Sequence, residues 1–197
     1  TTPTIEFQVK DTDSGVNAET IAVTVDGTTV SNITKTAIDG GYKCTCTSPT
    51  LKDGLHTISV KASDNDGNVA GAKTATFTVD TVPPTLQITA PSNDLATNKK
   101  TVTVTGKTDD VTSKPVTVTV NGTTVTVETD GTFTKDVTLV EGANTITIVA
   151  KDKAGKTTTV TRKVIVDTSA PVIKSVTLTP NPVDCGKTFI IAVEITD

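Results

Sequence analysis

From Val116 to Val127 the chain reads VTVTVNGTTVTV. Valines at 116, 118 and 120 alternate with threonines at 117 and 119. A period of two gives an extended strand one apolar and one polar face, and it gives a helix neither. Asn121-Gly122 then interrupts the run. Both residues accept positive φ, so the pair is the turn chemistry of a two-residue hairpin. Valine alternation resumes at Val125 and Val127. The same arrangement stands earlier, in IAVTVDGTTV (Ile21–Val30), around Asp26-Gly27. Threonine supplies 46 of the 197 residues, and aromatic residues only 3%. A β-branched side chain is stiff at χ1 and suits a pleated, half-exposed surface. No segment carries a helical period, so the chain is predicted to be all-β.

The hairpins belong to a longer repeat. Asp26 and Asn121 are 95 positions apart. LKDGLHTISVKASDNDGN (Leu51–Asn68) matches LVEGANTITIVAKDKAGK (Leu139–Lys156) at a spacing of 88. FTVDTVPPT and VIVDTSAPV place Asp80 and Asp167 87 apart. A unit of about ninety residues with short strands and frequent turns reads as an antiparallel sandwich used in series. Strands in the second unit are predicted near Leu86–Ala90, Thr101–Gly106, Val116–Val120, Thr123–Glu128, Thr132–Leu139, Asn144–Lys151 and Thr157–Val166. Its expected interior is Val102, Val104, Val116, Val118, Val120, Phe133, Ile146, Ile148 and Val164. KTFIIAVEITD (Lys187–Asp197) repeats TTPTIEFQVKD (Thr1–Asp11). Residues 1–80 then form one sandwich without its first strand, 81–167 a complete one, and 168–197 the first two strands of a third, Val172–Thr179 and Thr188–Ile195. Each Val-Asp-Thr-x-x-Pro is the joint. Proline fixes φ and extends the residue before it, and a link this short resists swivelling. The expected arrangement is an elongated rod of tandem sandwiches.

These motifs resemble the tandem bacterial immunoglobulin-like repeats of secreted and cell-surface proteins. The resemblance rests on Asp11, Asp13, Ser14, Gly15 and Val16, on Asp53, Gly54, His56 and Thr57, on Ala62, Asp64, Gly67 and Asn68, and on Asp80, Thr81 and Pro84. In the second unit Asn144 replaces His56 and Lys156 replaces Asn68. It implies an extracellular or surface location and a stalk, spacer or surface-layer element. It names no activity, because one fold carries many functions.

The remaining chemistry is sparse. A net charge of -4 without a Lys/Arg cluster excludes a nucleic-acid stripe. No apolar run reaches membrane-spanning length, and no signal-peptide pattern occurs. Three cysteines make no disulfide framework. Cys44 and Cys46 share a strand face with Tyr42 and read as small inward hydrophobes, while Cys185 falls in an exposed turn. His56, the one histidine, reads as a hydrogen-bonding side chain at a strand start, the place Asn144 takes in the second unit. No nucleophile–base pair is recognisable, and the chain reads as a non-enzyme. The competing function is adhesion: glycan or protein binding through the sandwich-end loops, or self-assembly into a filament by strand donation to another copy. Against glycan binding, Tyr42 and four phenylalanines are little for an aromatic platform.

One candidate site remains. DTDSG (11–15) and DNDGN (64–68) space carboxylates two apart, as oxygen-rich calcium loops do. The loops after the second and sixth strands of a sandwich lie at one end. Asp11, Asp13, Asp64, Asp66 and Asn68 are therefore the candidate calcium ligands. Two ordinary Asx turns are the plainer alternative and weigh somewhat more. The second unit keeps Asp109, Asp110 and Asp152 but adds lysines, so any site is expected to be stronger in the first.

Overall fold

The computed structural model describes every residue except Pro180, Val183 and Asp197. Its described residues hold seventeen strands and no helix. Seven strands build the first sandwich: β1 (Thr4–Lys10), β2 (Val16–Val25), β3 (Thr28–Thr29), β4 (Thr34–Ile38), β5 (Gly41–Thr47), β6 (Gly54–Asp64) and β7 (Lys73–Val79). They form two sheets, β1-β5-β4 and β3-β2-β6-β7. Val25 pairs with Thr28 across the predicted turn, where Asp26 (φ 50°) and Gly27 (φ 78°) both take the left-handed region. Val23, Val25, Val30, Cys46, Leu51 and Val79 form one buried cluster, and Val16, Ile21, Cys44 and Ala62 another; Phe7 and Ile33 touch both. Cys44 and Cys46 are buried free thiols, as expected, and burial pushes both thiols up from their ordinary range. Cys185 is exposed.

The second sandwich has β8 (Thr85–Ala90), β9 (Leu95–Thr97), β10 (Thr101–Asp109), β11 (Thr117–Val120), β12 (Thr123–Val125), β13 (Thr132–Thr138), β14 (Gly142–Lys151) and β15 (Thr157–Val166). Its sheets are β13-β10-β8 and β12-β11-β14-β15-β9. Alternation predicted the interior well: Val104, Val118, Ile146, Ile148 and Val164 are fully buried, and Val102, Val120 and Phe133 nearly so. Val116 is the exception: it is only half-buried and stands one residue before β11, which begins at Thr117. Alternation also missed β9. This strand is three residues long and follows a turn-rich PSND, too short for a period to show. It pairs in parallel with β15, Leu95 opposite Val164, so the chain crosses from one sheet to the other between β8 and β9. Arg162 on β15 spans that crossing, donating to the carbonyls of Ile88 and Pro91. Gly106 is required here. A Cβ would lie 2.6 Å from the Gln87 carbonyl and from the Phe133 ring, so β10 can approach β8 only without one. After these strands come β16 (Val172–Thr179) and β17 (Ile190–Thr196), an antiparallel pair whose residues are almost all exposed.

By its contacts the chain divides into two compact units. One comprises Thr1–Thr85 with Thr108–Thr117 and Ala150–Thr158. The other comprises Leu86–Lys107, Val118–Val149 and Thr159–Asp197. The first unit thus contains the turns that follow β10 and β14 as well as the β1–β7 sandwich. That grouping positions the site.

Candidate metal centre

Three loops of this unit converge. Val79 is buried at the end of β7, and Asp80-Thr81 follow it directly. Thr81 donates its hydroxyl to both oxygens of Asp53, at 3.0 and 2.8 Å. Pro84 and Thr85 are fastened further on. Thr158 donates to the Pro84 carbonyl, Thr108 donates to the Thr85 carbonyl at 2.6 Å, and the Thr85 hydroxyl reaches the Asp109 carbonyl at 2.9 Å. The turns after β10 and β14 are joined by the Lys153 amide donating to the Ser113 carbonyl.

Each loop carries one aspartate that organises its own turn with a single oxygen. Asp80 Oδ1 accepts from the Val82 amide at 3.1 Å. Asp110 Oδ1 accepts from the Thr112 and Ser113 amides at 2.8 and 2.6 Å. Asp152 Oδ1 accepts from the Lys156 amide at 2.8 Å. These are Asx turns, as the residue type predicts. Turn formation does not account for their convergence. One carboxylate oxygen from each of the three lies within 4.8 Å of the other two. Asp110 and Asp152 are 5% and 4% exposed, and Asp80 is half-buried. Asp80 Oδ2 and Asp152 Oδ2 are shielded from solvent and meet no hydrogen-bond donor among the described residues. The ion pairs found among the described residues, Lys43–Glu6, His56–Asp26 and Lys114–Asp109, leave out all three.

Two carboxylates at this separation repel by roughly 3 kcal/mol at an effective dielectric near 20. Three together, two with an oxygen left bare, make a negatively charged recess of hard oxygen donors. Such a recess suits a hard cation.

The aspartates singled out by spacing behave differently. Asn65 joins their two loops, its amide donating to Gly15 O at 3.0 Å and its side chain to Ser14 O at 2.8 Å. Asp11, Asp64 and Asn68 line one pocket of about 270 Å³ with Val9, Val16 and Ala62. Asp13 and Asp66 are exposed and do not line it. Asp11 Oδ2 accepts from the Gly15 amide and the Ser14 hydroxyl. Both oxygens of Asp64 are engaged by Asn68, Oδ1 by its amide and Oδ2 by its side chain, each at 2.7 Å. Those bonds hold the Asp64 carboxyl below its usual range. Asp152 is the repeat partner of Asp64, and Lys156 of Asn68. A lysine in place of the asparagine takes away the side-chain amide that would cap the second oxygen. Asp80 was missed because a Val-Asp-Thr link reads as a joint. Its signal was available: if the loops after the second and sixth strands face the preceding link, the aspartate of that link faces them.

His56 is a double donor in a hairpin. Its Nδ1 meets Asp26 Oδ2 at 2.7 Å and its Nε2 the Lys52 carbonyl at 2.9 Å, while Asp26 Oδ1 accepts from the Thr57 amide at 2.8 Å. The Asp26 hydrogen bond, then the Lys52 carbonyl, raises the imidazole pKa above its ordinary value. The same contact lowers that of Asp26. Asn144 does the equivalent work on its own loop, bonding Val140 and Gly142.

Residues 1–81 match the family described as bacterial Ig-like domain, and residues 84–168 match glucodextranase, domain B. Bacillopeptidase F of Bacillus subtilis (strain 168) is 32% identical over 140 residues, which is 71% of this chain and 9% of that protein. The chain therefore spans about a tenth of the length of the relative it matches. The solved fibronectin(III)-like modules of Clostridium thermocellum CbhA share 19% identity and a TM-score of 0.51, over 83% of this chain and 85% of theirs. That likeness concerns the fold.

Proposed function

This chain belongs to the tandem bacterial immunoglobulin-like domains, its second sandwich of the glucodextranase B kind, and from that premise we propose a non-catalytic structural segment of a bacterial surface or secreted protein. It acts as a stalk, spacer or surface-layer element, holding a neighbouring domain of the same polypeptide at a set place. The observation that carries this is the series itself: two sandwiches joined by a link of a few residues, each with its own core. Stability in such a series comes from each repeat and its nearest neighbours. Apart from Asp80 Oδ2 and Asp152 Oδ2, the polar groups described in the loops bond to backbone and to one another. The histidine is spent on a turn.

A spacer is defined by length rather than by surface chemistry. Replacing the segment in its parent protein with an unrelated immunoglobulin-like tandem of equal length should therefore preserve the parent's display and activity. Loss of either on that exchange would mark the segment as a binder. The adhesion alternative has one observation in its favour. An apolar groove of about 370 Å³ lies beside β1, lined by Phe7, Val9, Ile58, Val60, Ala62 and Ala75. β1 is an edge strand, whereas its counterpart β10 is covered by β8. An open edge accepts a further strand. Mass growth with concentration in light scattering would support strand addition between copies, and a constant monomer mass would remove it.

A further inference from the structure

We infer that the open edge of β1 is closed by β16 of a second copy of this chain, which lays Ile173, Val176 and Leu178 over the apolar groove. This closure rests on the open edge described above, and the spacer reading is tested apart from it, by exchange of the whole segment. Two surfaces stand uncovered. One is the groove beside β1, with Ile5, Phe7 and Val9 half-buried along the strand and Ile58 and Val60 half-buried in its wall. The other is β16, where Val172, Ile173, Val176 and Leu178 are all exposed. The second sandwich shows what a cover does: β8 lies on β10, and its Ile88 is buried. β16 is the repeat of β8, Val172 standing 87 positions after Thr85, and β17 is the repeat of β1 at a spacing of 186.

One position decides between the two strands of this kind, β8 and β16. Val9, paired with Tyr42 and followed by Lys10, takes in β1 the place that Gly106, paired with Phe133 and followed by Lys107, takes in β10. A Cβ at Gly106 would lie 2.6 Å from the Gln87 carbonyl oxygen and 3.0 Å from Ile88 Cδ1, so a strand laid down as β8 is would strike the Val9 side chain. β17 has Ile195 at that place, and β16 meets it with a bulge. Their pairing steps from Ile173↔Ile195 to Ser175↔Glu194, passing over Lys174. A bulge sets an extra residue against the facing strand and bends the strand that carries it. Beyond the bulge the register runs Val176↔Val193 and Leu178↔Ile191. Residues opposite one another on antiparallel strands share a face, so the bulge brings Ile173, Val176 and Leu178 onto one side. Carried to β1 by the spacing of 186, they stand opposite Val9, Phe7 and Ile5, with Ser175 opposite Gln8. Every inward pair is then apolar. β16 leaves β17 to make the exchange, giving up an exposed two-stranded pairing, which is marginal in water, for the edge of a sandwich. The backbone bonds exchanged are alike, and the apolar burial over the groove is gained. Two different surfaces of the chain meet, so the contact can pass from copy to copy.

The test is sedimentation of the full chain over a range of concentrations, with disulfide trapping of the register. Mass is expected to grow with concentration, and Val176→Asp should weaken association by about tenfold or more, because it buries a charge against Phe7. Leu178→Asp should do the same. Amide exchange of β2 and β11 should show both sandwiches intact in each variant, since β16 is exposed in the free chain. For trapping, Cys185→Ser removes the exposed thiol. In that background the Gln8→Cys and Ser175→Cys chains, mixed and oxidised, should form the mixed disulfide dimer, and Glu6→Cys with Ser175→Cys should form far less of it. A constant monomer mass would overturn the inference and give the edge to another segment of the same polypeptide or to an unrelated strand. Growth in mass that both aspartate variants leave unchanged would overturn it by placing the contact elsewhere on the surface. Trapping through Glu6→Cys in preference to Gln8→Cys would overturn the bulged register, and with it the choice of β16.

Discussion

The two sandwiches repeat one pattern and differ in how completely they close it. Ile146, Ile148 and Ala150 on β14 are fully buried; their counterparts 88 positions earlier, Ile58, Val60 and Ala62, are half-buried, half-buried and 7% exposed. The side chains are nearly the same, so composition does not explain the difference. The covering strands do. In the second sandwich β8 flanks β10 and β9 flanks β15, and Ile88 of β8 is itself buried. In the first, β1 and β7 are edges, and the space between them is the apolar groove. Burial is a property of the neighbours a residue is given, and apolar burial is worth about 25 cal/mol per Å² only where neighbours exist.

The largest expected effect separates the two cores. Val118→Asp places an unpaired charge in a fully buried site and should cost on the order of 4 kcal/mol or more. Val60→Asp faces the groove, can reach water, and should cost about 1 kcal/mol. Native-state hydrogen exchange of β11 and β2 amides reads each sandwich separately. Equal losses would break the comparison, and a cost for Val118→Asp no greater than for Thr117→Asp would break the face assignment.

A gentler version deletes volume instead of adding charge. Ile148→Ala should lose about 3–4 kcal/mol, transfer and cavity together. Ile58→Ala should lose about 1–2 kcal/mol, because its side chain already borders open space. A larger loss at Ile58 would mean that the groove closes in solution.

Much of this contrast was legible in the residues. Period-two alternation marked which valines face inward, and Asn-Gly and Asp-Gly marked both hairpins, because strand faces and two-residue turns are local properties. The missing cover over β1 was legible from the repeat. β9 was not, since three residues cannot show a period. The carboxylate cluster was half legible. Asp110 and Asp152 stood out as repeats of the acidic turns. Their convergence with Asp80 depends on turns from the second repeat belonging to the first compact unit, which is tertiary information. The fate of Asp64 was also hidden. Whether an Asx turn ends with a bare or a capped oxygen is decided by one side chain four residues on, Asn68 in one repeat and Lys156 in the other.

A thiol probe sharpens the comparison kinetically. Cys185 is exposed and should react with a disulfide reagent at once. Cys44 and Cys46 are buried, with their pKa raised by desolvation, so they should react only when the first sandwich opens. Stabilising that sandwich should slow them in proportion, and Val118→Asp, in the other core, should leave their rate nearly unchanged. Immediate reaction of all three thiols would mean that the first core is not closed on its β1 side.

The smallest difference is a matter of pH. His56 donates to Asp26 and to the Lys52 carbonyl, whereas Asn144 makes its bonds without titrating. The folded imidazole has its pKa raised above 6.5, first by Asp26 and then by the Lys52 carbonyl. Its stabilisation is therefore fully present below the unfolded value, near 6.5, and is lost as pH rises through the higher folded value. The lowered pKa of Asp26 acts on the other side: its contribution is present above about 3.8 and is lost as pH falls through the lower folded value. The first sandwich should accordingly be most stable between these limits and weaken on the alkaline side, while the second shows no such step. His56→Asn, which installs the residue the second repeat uses, should flatten the alkaline limb without moving the second sandwich. Urea midpoints from pH 5 to 9 would measure this, read for each sandwich by amide exchange. A parent whose first sandwich is level from pH 6 upward would show that the Asp26–His56 contact is too solvent-screened to be linked to folding.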